Sequence, residues 1–253
     1  SYQYNFSSLS PDCATAVQNF LSSSEFNACF PYNQLESQIN SFMNVQDLSG
    51  IESKIISVED SICKLPKCSD SLISNFNSTF YSKCSTDIAA QRDDAIGISA
   101  LIYDYSPLRD TLCFKNSTGG YCLVETFENF VKEGANYQNI SSQSVCTTCN
   151  KAIANTWVNY LKSHPPPPEL SGNITVAISS ITSESNKTCG PSFLDGKVPL
   201  SANSNSKSNN GATIFDMNFA MLTVSILIGG GALYGEIDDT KHFNGVVVTL
   251  STI

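Results

Sequence analysis

The chain has 253 residues, with 14 Lys and Arg against 23 Asp and Glu, a formal net charge of −9 and a pI near 4.6. No run of basic residues occurs, which excludes an electrostatic nucleic-acid footprint and makes an anionic membrane surface an equally poor partner. Charged residues are 15% of the chain, below the roughly 25% of ordinary globular proteins; Ser, Thr and Asn stand in their place, and such a surface would rely on glycans for solubility.

In chain order the hydrophobic pattern is helical. Ser10-Pro11 reads as a helix start, a capping residue followed by a proline whose missing N–H costs nothing in the first turn. Leu35, Ile39, Phe42 and Met43 recur at i, i+4, i+7 and i+8, and Ile51, Ile55, Val58 and Ile62 repeat with the same kind of spacing. Ser85-Thr86-Asp87 predicts a second helix start, opening a helix with Ile88, Ala95, Ile98, Ile102 and Tyr105 on one face. Val145, Cys149, Ile153, Trp157 and Leu161 form another stripe, and Leu170, Ile174, Ile178 and Ile181 a further one. Between them Pro165 to Pro168 predicts a stiff extended connector. Only Val246 to Leu250 reads as a strand. The expected fold class is all-α: a disulfide-linked helical bundle with a disordered Ser/Asn-rich stalk and a hydrophobic C-terminal tail. Residues 1–195 form the expected extracellular, cysteine-rich domain, 196–212 a linker carrying the anchor-attachment region, 213–235 a hydrophobic anchor signal or transmembrane segment, and 236–253 an extension of doubtful status. About 190 residues before the linker suffice for one domain or two small helical subdomains.

Ten cysteines, Cys13, Cys29, Cys63, Cys68, Cys84, Cys113, Cys122, Cys146, Cys149 and Cys189, all precede the linker. An even count in a chain bound for the secretory pathway predicts five bridges. Pro11-Asp12-Cys13 and Pro66-Lys67-Cys68 are each followed by a further cysteine with fifteen residues between, a weak repeat that suggests the pairs Cys13–Cys29 and Cys68–Cys84. A continuous helix would hold such sulfurs roughly 24 Å apart, so these pairs require the chain to double back. Cys113–Cys122, around a Gly119-Gly120 turn, is the expected local bridge, with Cys149–Cys189 and Cys63–Cys146 completing the set. Six Asn-x-Ser/Thr sequons, at Asn5, Asn77, Asn116, Asn139, Asn173 and Asn186, accompany them as candidate glycosylation sites. No initiator Met or apolar leader precedes Ser1, the expectation being a removed signal peptide or a fragment.

From Ser201 to Ala212 the sequence is a polar linker, and from Met217 to Gly235 it is apolar. Small residues, a short spacer and a hydrophobic tail are what replacement by a glycosylphosphatidylinositol (GPI) anchor requires, with Asn210 the attachment candidate because Gly211 and Ala212 follow it. If Glu236 to Ile253 is native rather than a gene-model error, the apolar stretch becomes a single transmembrane helix with a short cytosolic tail.

The candidate chemistries are weaker than their structural readings. Cys146-x-x-Cys149 lacks the βαβ context of a redox dithiol and is expected to be structural. Only His164 and His242 could join cysteines at a zinc site. His164 precedes four prolines and is expected at an exposed helix end. Arg109 and Asp110 follow a proline in a helix and suit an ion pair or cap better than a ligand site. The adjacent acids Glu59-Asp60 and Asp93-Asp94 point to different sides of a helix and are expected on solvated faces. Trp157 is expected in the core. No catalytic constellation is recognised, so no enzyme activity, cofactor or metal is expected.

The succession Cys63-x4-Cys68-Ser69, Cys84-x2-Asp87-Ile88, Tyr105-Ser106-Pro107-Leu108-Arg109-Asp110-x2-Cys113, Tyr121-Cys122, Cys146-Thr147-Thr148-Cys149-x-Lys151-Ala152-Ile153 and Cys189-Gly190-Pro191-Ser192-Phe193 resembles a family of fungal secreted, cysteine-rich, GPI-anchored cell-surface proteins. The resemblance runs from about Cys13 to Phe193. It implies a fungal cell-surface location, a helical cysteine-paired domain and no activity that could be carried over. The resulting expectation is a monomeric, non-enzymatic cell-surface or cell-wall glycoprotein, held to the membrane by a GPI anchor or one transmembrane helix, with wall glycans or lipid as possible partners and no nucleic acid. A helical module enclosing a lipid or other apolar ligand is the alternative, and a wall-polysaccharide enzyme a more distant one.

Overall fold

Ser10 and Pro11 start the first helix as the sequence predicts, in a computed structural model that describes residues 6–35, 38, 49–133 and 141–198. A 3₁₀ turn at Phe6–Ser8 leads into α1 (Pro11–Leu21) and α2 (Ser24–Asn27). There follow α3 (Ser49–Cys63), α4 (Asp70–Ala89), α5 (Asp93–Leu112), α6 (Cys122–Lys132), α7 (Ser142–Val145), α8 (Thr148–Ser163) and, after a 3₁₀ turn at Pro168–Leu170, α9 (Ser171–Cys189). The only β pairing among the described residues is the isolated bridge Lys115–Tyr121, so the fold is all-α and its connections are disulfides. The predicted stalk, tail and Val246–Leu250 strand lie outside the described residues, as do Ile39, Phe42 and Met43.

Helix starts follow capping chemistry. Hydroxyls of Ser23, Ser69, Ser141 and Thr147 accept the N–H of the residue three positions on, satisfying a donor that the first turn leaves orphaned. Ser85-Thr86-Asp87 is not such a start: the triplet lies inside α4, and the break comes instead at Ala90–Arg92, where Gln91 takes a left-handed φ of 52°. The reason is the direction of Asp87. Its buried carboxylate turns away from its own helix and accepts the Ser10 N–H at 2.9 Å and the Ser10 hydroxyl at 2.6 Å, with Arg92 Nε at 3.3 Å. Burial works against its ionisation, but the Ser10 hydrogen bonds and the Arg92 charge outweigh it and hold the carboxyl below its ordinary pKa.

The chain divides into two compact units, residues up to Tyr105 and residues from Ser106. In the first, α1 packs antiparallel on α4, with Cys13, Val17, Phe76, Phe80, Cys84, Ala95 and Ile98 in one core cluster. A second cluster gathers Phe26, Cys29, Cys68 and Tyr105, whose hydroxyl accepts the Cys68 N–H at 2.8 Å. On α3 the buried positions Ile55, Val58 and Ile62 fall on the stripe that the sequence predicts. Residues 95–100 of α5 are buried on every side, which marks it as a core helix rather than an amphipathic one. In the second unit, Val145, Cys149, Ile153, Trp157 and Leu161 are all buried, as their periodicity predicts. Val145 belongs to the short α7, not to the helix of the other four. Pro165 to Pro167 form the extended connector, whereas Pro168 opens the 3₁₀ turn.

All ten cysteines are disulfide-bonded, and the pairing differs from the local one. Cys13 bonds Cys84, Cys29 bonds Cys68, Cys122 bonds Cys149 and Cys146 bonds Cys189, with Cα separations of 4.7, 4.9, 5.1 and 5.4 Å. None of the five local or long-range pairs expected from spacing forms. For Cys68–Cys84 the physical reason is α4: one unbroken helix spans most of that interval, so the doubling back that this pair requires does not occur. The antiparallel packing of α1 on α4 brings each cysteine to a partner on the other segment instead.

Candidate functional site

Side chains from α1, α2 and α4 enclose a groove of about 510 Å³ on the surface of the first unit. Helix α1 contributes Asp12, Thr15, Ala16, Asn19 and Phe20, and α4 contributes Leu72, Asn75, Phe76, Thr79 and Lys83; Glu25 of α2 closes one end. The spacing explains the composition. On each helix one stripe faces the core and the adjacent stripe faces the groove, so Asp12, Thr15 and Asn19 on α1 and Asn75, Thr79 and Lys83 on α4 line up at helical intervals. The floor is aromatic: Phe20 stacks on Phe76 with centroids 3.6 Å apart and planes 4° from parallel, and Phe26 lies 4.4 Å from Phe20. Cys13–Cys84 and Cys29–Cys68 tie the helices together.

Nothing in the sequence alone marks this groove. Its signal is the recurrence of polar side chains at i, i+3, i+7 on α1 and at i, i+4, i+8 on α4 beside a buried stripe, which is indistinguishable from an ordinary solvated helix face until the partner helix is known.

The sequence-predicted residues are not gathered into one place. Among the sequons, Asn77 is half-buried on α4 and Asn186 is exposed in the last turns of α9. Asn173 lies on the backbone of α9. Asn5, Asn139 and the anchor candidate Asn210 lie outside the described residues. Asn116 organises its own loop: its Oδ1 accepts from the N–H and hydroxyl of Thr118 at 3.1 and 2.8 Å and from the Gly120 N–H at 2.9 Å, while its Nδ2 donates to Glu125 at 3.0 Å. Gly119 completes the turn with φ 85°, a conformation that a side chain would strain.

Cys146 and Cys149 are bonded to different partners rather than to each other, which is structural pairing. His164 caps α8 at an exposed position, its ring stacked 4.2 Å from that of Tyr160. Trp157 is in the core. Arg109 is buried, with Nη1 donating to Cys113 Sγ one turn on. Asp94 accepts from the Ser8 hydroxyl. Of the acidic pair on α3, Asp60 faces solvent, 3.8 Å from Lys64, but Glu59 is fully buried and so does not sit on the solvated face expected for it. It falls between Val58 and Ile62 on the helix stripe that packs inward. Among the described residues no group of three or more His, Cys, Asp or Glu is placed to hold a metal ion, and no helix is long and apolar enough to cross a membrane.

A family model described as a domain of unknown function (DUF7729) matches residues 1–198. No curated protein and no solved structure matches the chain.

Proposed function

We propose that this chain, which belongs to the DUF7729 family, is a non-enzymatic cell-surface or cell-wall glycoprotein of a fungus, routed through the secretory pathway and tethered by a GPI anchor at or near Asn210. The observation that carries the reading is the complete pairing of its cysteines, which belongs to an oxidising compartment. The sequons and the polar linker followed by an apolar stretch support the same route. The fungal origin rests on the resemblance of the cysteine motifs alone.

The test is expression of the full precursor in yeast, treatment of its membranes with phosphatidylinositol-specific phospholipase C, and mass spectrometry of the released C-terminal peptide. Release with an anchor remnant on Asn210 or a neighbour is the expected result. Retention in the membrane with Glu236 to Ile253 intact would overturn the anchor in favour of a transmembrane segment.

A further inference from the structure

We propose that the groove between α1 and α4 is a carbohydrate-binding site for a short neutral oligosaccharide. The inference goes beyond surface location and does not depend on the anchor, because the groove belongs to the folded first unit however its chain is tethered.

Sugars present hydroxyls that donate and accept at once, together with apolar C–H faces. A matching site needs walls of similar dual capacity, a firm apolar floor and little net charge. The walls here carry carboxamides on opposite sides, Asn19 on α1 and Asn75 on α4. A carboxamide offers two donors and an acceptor in one plane, and among the described residues no side chain engages either of them. Thr15 and Thr79 add a hydroxyl on each wall. The Thr79 hydrogen is committed to the Asn75 carbonyl at 3.0 Å, which leaves its oxygen as an acceptor. The floor is the stacked pair Phe20 and Phe76. Two disulfides and an aromatic stack hold these walls before any ligand arrives, which lowers the ordering cost of binding.

Charge disfavours anionic occupants. Asp12 and Glu25 face a single cation, Lys83, so the groove repels phosphate, sulfate and nucleic acid rather than holding them. An acyl chain laid along the floor would make no use of the Asn19 and Asn75 carboxamides or the Thr15 and Thr79 hydroxyls, whereas a sugar engages them together with the apolar floor. A volume of about 510 Å³ lies within the usual range of small-molecule sites. A neutral polyhydroxylated ligand satisfies the walls and covers the floor.

The experiment uses the full chain, secreted from yeast and trimmed of its own N-glycans, in saturation-transfer NMR and titration calorimetry with laminaritetraose, cellotetraose, chitotetraose and mannotetraose. Palmitate is the apolar competitor. The structure leads us to expect at least one tetrasaccharide to bind, and the double variant Asn19→Ala, Asn75→Ala to weaken that binding about tenfold or more. Both positions are exposed on helices and alanine is the better helix former, so the melting temperature of the variant should stay where it is. Thr79 is left intact because it completes the Asn77 sequon. Failure of all four sugars to bind, binding that the double variant leaves unchanged, or displacement by palmitate would each overturn the proposal.

Discussion

Asp104 lies on α5 beyond the stretch 95–100 that is buried on every side, and burial alone pushes its carboxyl up to about 7. An acid whose pKa is raised on folding keeps its proton in the native state while the unfolded chain has already released its own. From about pH 4 to pH 7 the unfolded state therefore binds fewer protons, and stability falls as pH rises through that window. The neutral isostere Asp104→Asn removes the ionisation. Its stability should match the parent near pH 3 and exceed it at pH 8 by on the order of 2–4 kcal/mol, read from urea unfolding at a series of pH values. A pH profile of the variant that parallels the parent would show that Asp104 ionises without penalty. Neither Asp104 nor Glu59 was legible as buried in the sequence. Polar residues betray their burial only through partners far away in the chain, as Asp87 does through Ser10. Apolar residues announce theirs through periodicity, which is why Trp157, Ile55 and Ile153 were placed correctly.

Helices were legible where a proline marked the first turn, as at Ser10-Pro11, or where an apolar stripe ran on, as along α8, and misplaced where a polar triplet imitated a cap, as at Ser85-Thr86-Asp87 inside α4. The disulfides were legible in number and not in partner. Spacing rewards short loops, but a bridge forms where packing sets two Cα atoms about 5–6 Å apart, and the unbroken α4 decides that Cys84 meets Cys13 and not Cys68. Peptide mapping under non-reducing conditions should recover Cys13–Cys84, Cys29–Cys68, Cys122–Cys149 and Cys146–Cys189, and neither Cys13–Cys29 nor Cys68–Cys84. The bridge between Cys13 and Cys84 closes the longest of these four loops, with a sequence separation of 71. In the chain-entropy model its removal by Cys13→Ser with Cys84→Ser costs about 4 kcal/mol, slightly more than removal of Cys29–Cys68, whose separation is 39. Denaturant midpoints of the two double variants measure the order, and a smaller loss at Cys13–Cys84 would mean that native packing rather than loop entropy sets the contribution. The groove was illegible for the same reason as the bridges: its two walls are far apart in sequence and become one feature only when α1 lies on α4.

The two compact units contain two internal bridges each, Cys13–Cys84 and Cys29–Cys68 in the first and Cys122–Cys149 and Cys146–Cys189 in the second. Small units bury a smaller fraction of their unfolded surface than large ones, and covalent links supply a correspondingly larger share of stability. Low charge adds little to that share, because exposed ion pairs such as Asp60–Lys64 contribute about 0–1 kcal/mol. Reduction should therefore be the most damaging single treatment of this molecule. At about 2–4 kcal/mol per bridge and roughly 4–8 °C per kcal/mol for a unit of this size, loss of both internal bridges should lower the melting temperature by more than about 15 °C. Circular dichroism melts of the native chain and of the reduced, alkylated chain test this directly. The expected reduced chain melts early or lacks a cooperative transition, and its production in a reducing cytosol yields insoluble material while secretion yields soluble protein. A reduced chain that melts within about 5 °C of the native one would mean that aromatic packing around Phe20, Phe76 and Phe80 holds the first unit unaided. The oxidising compartment would then be a circumstance of where the chain is made and not a condition of its folding.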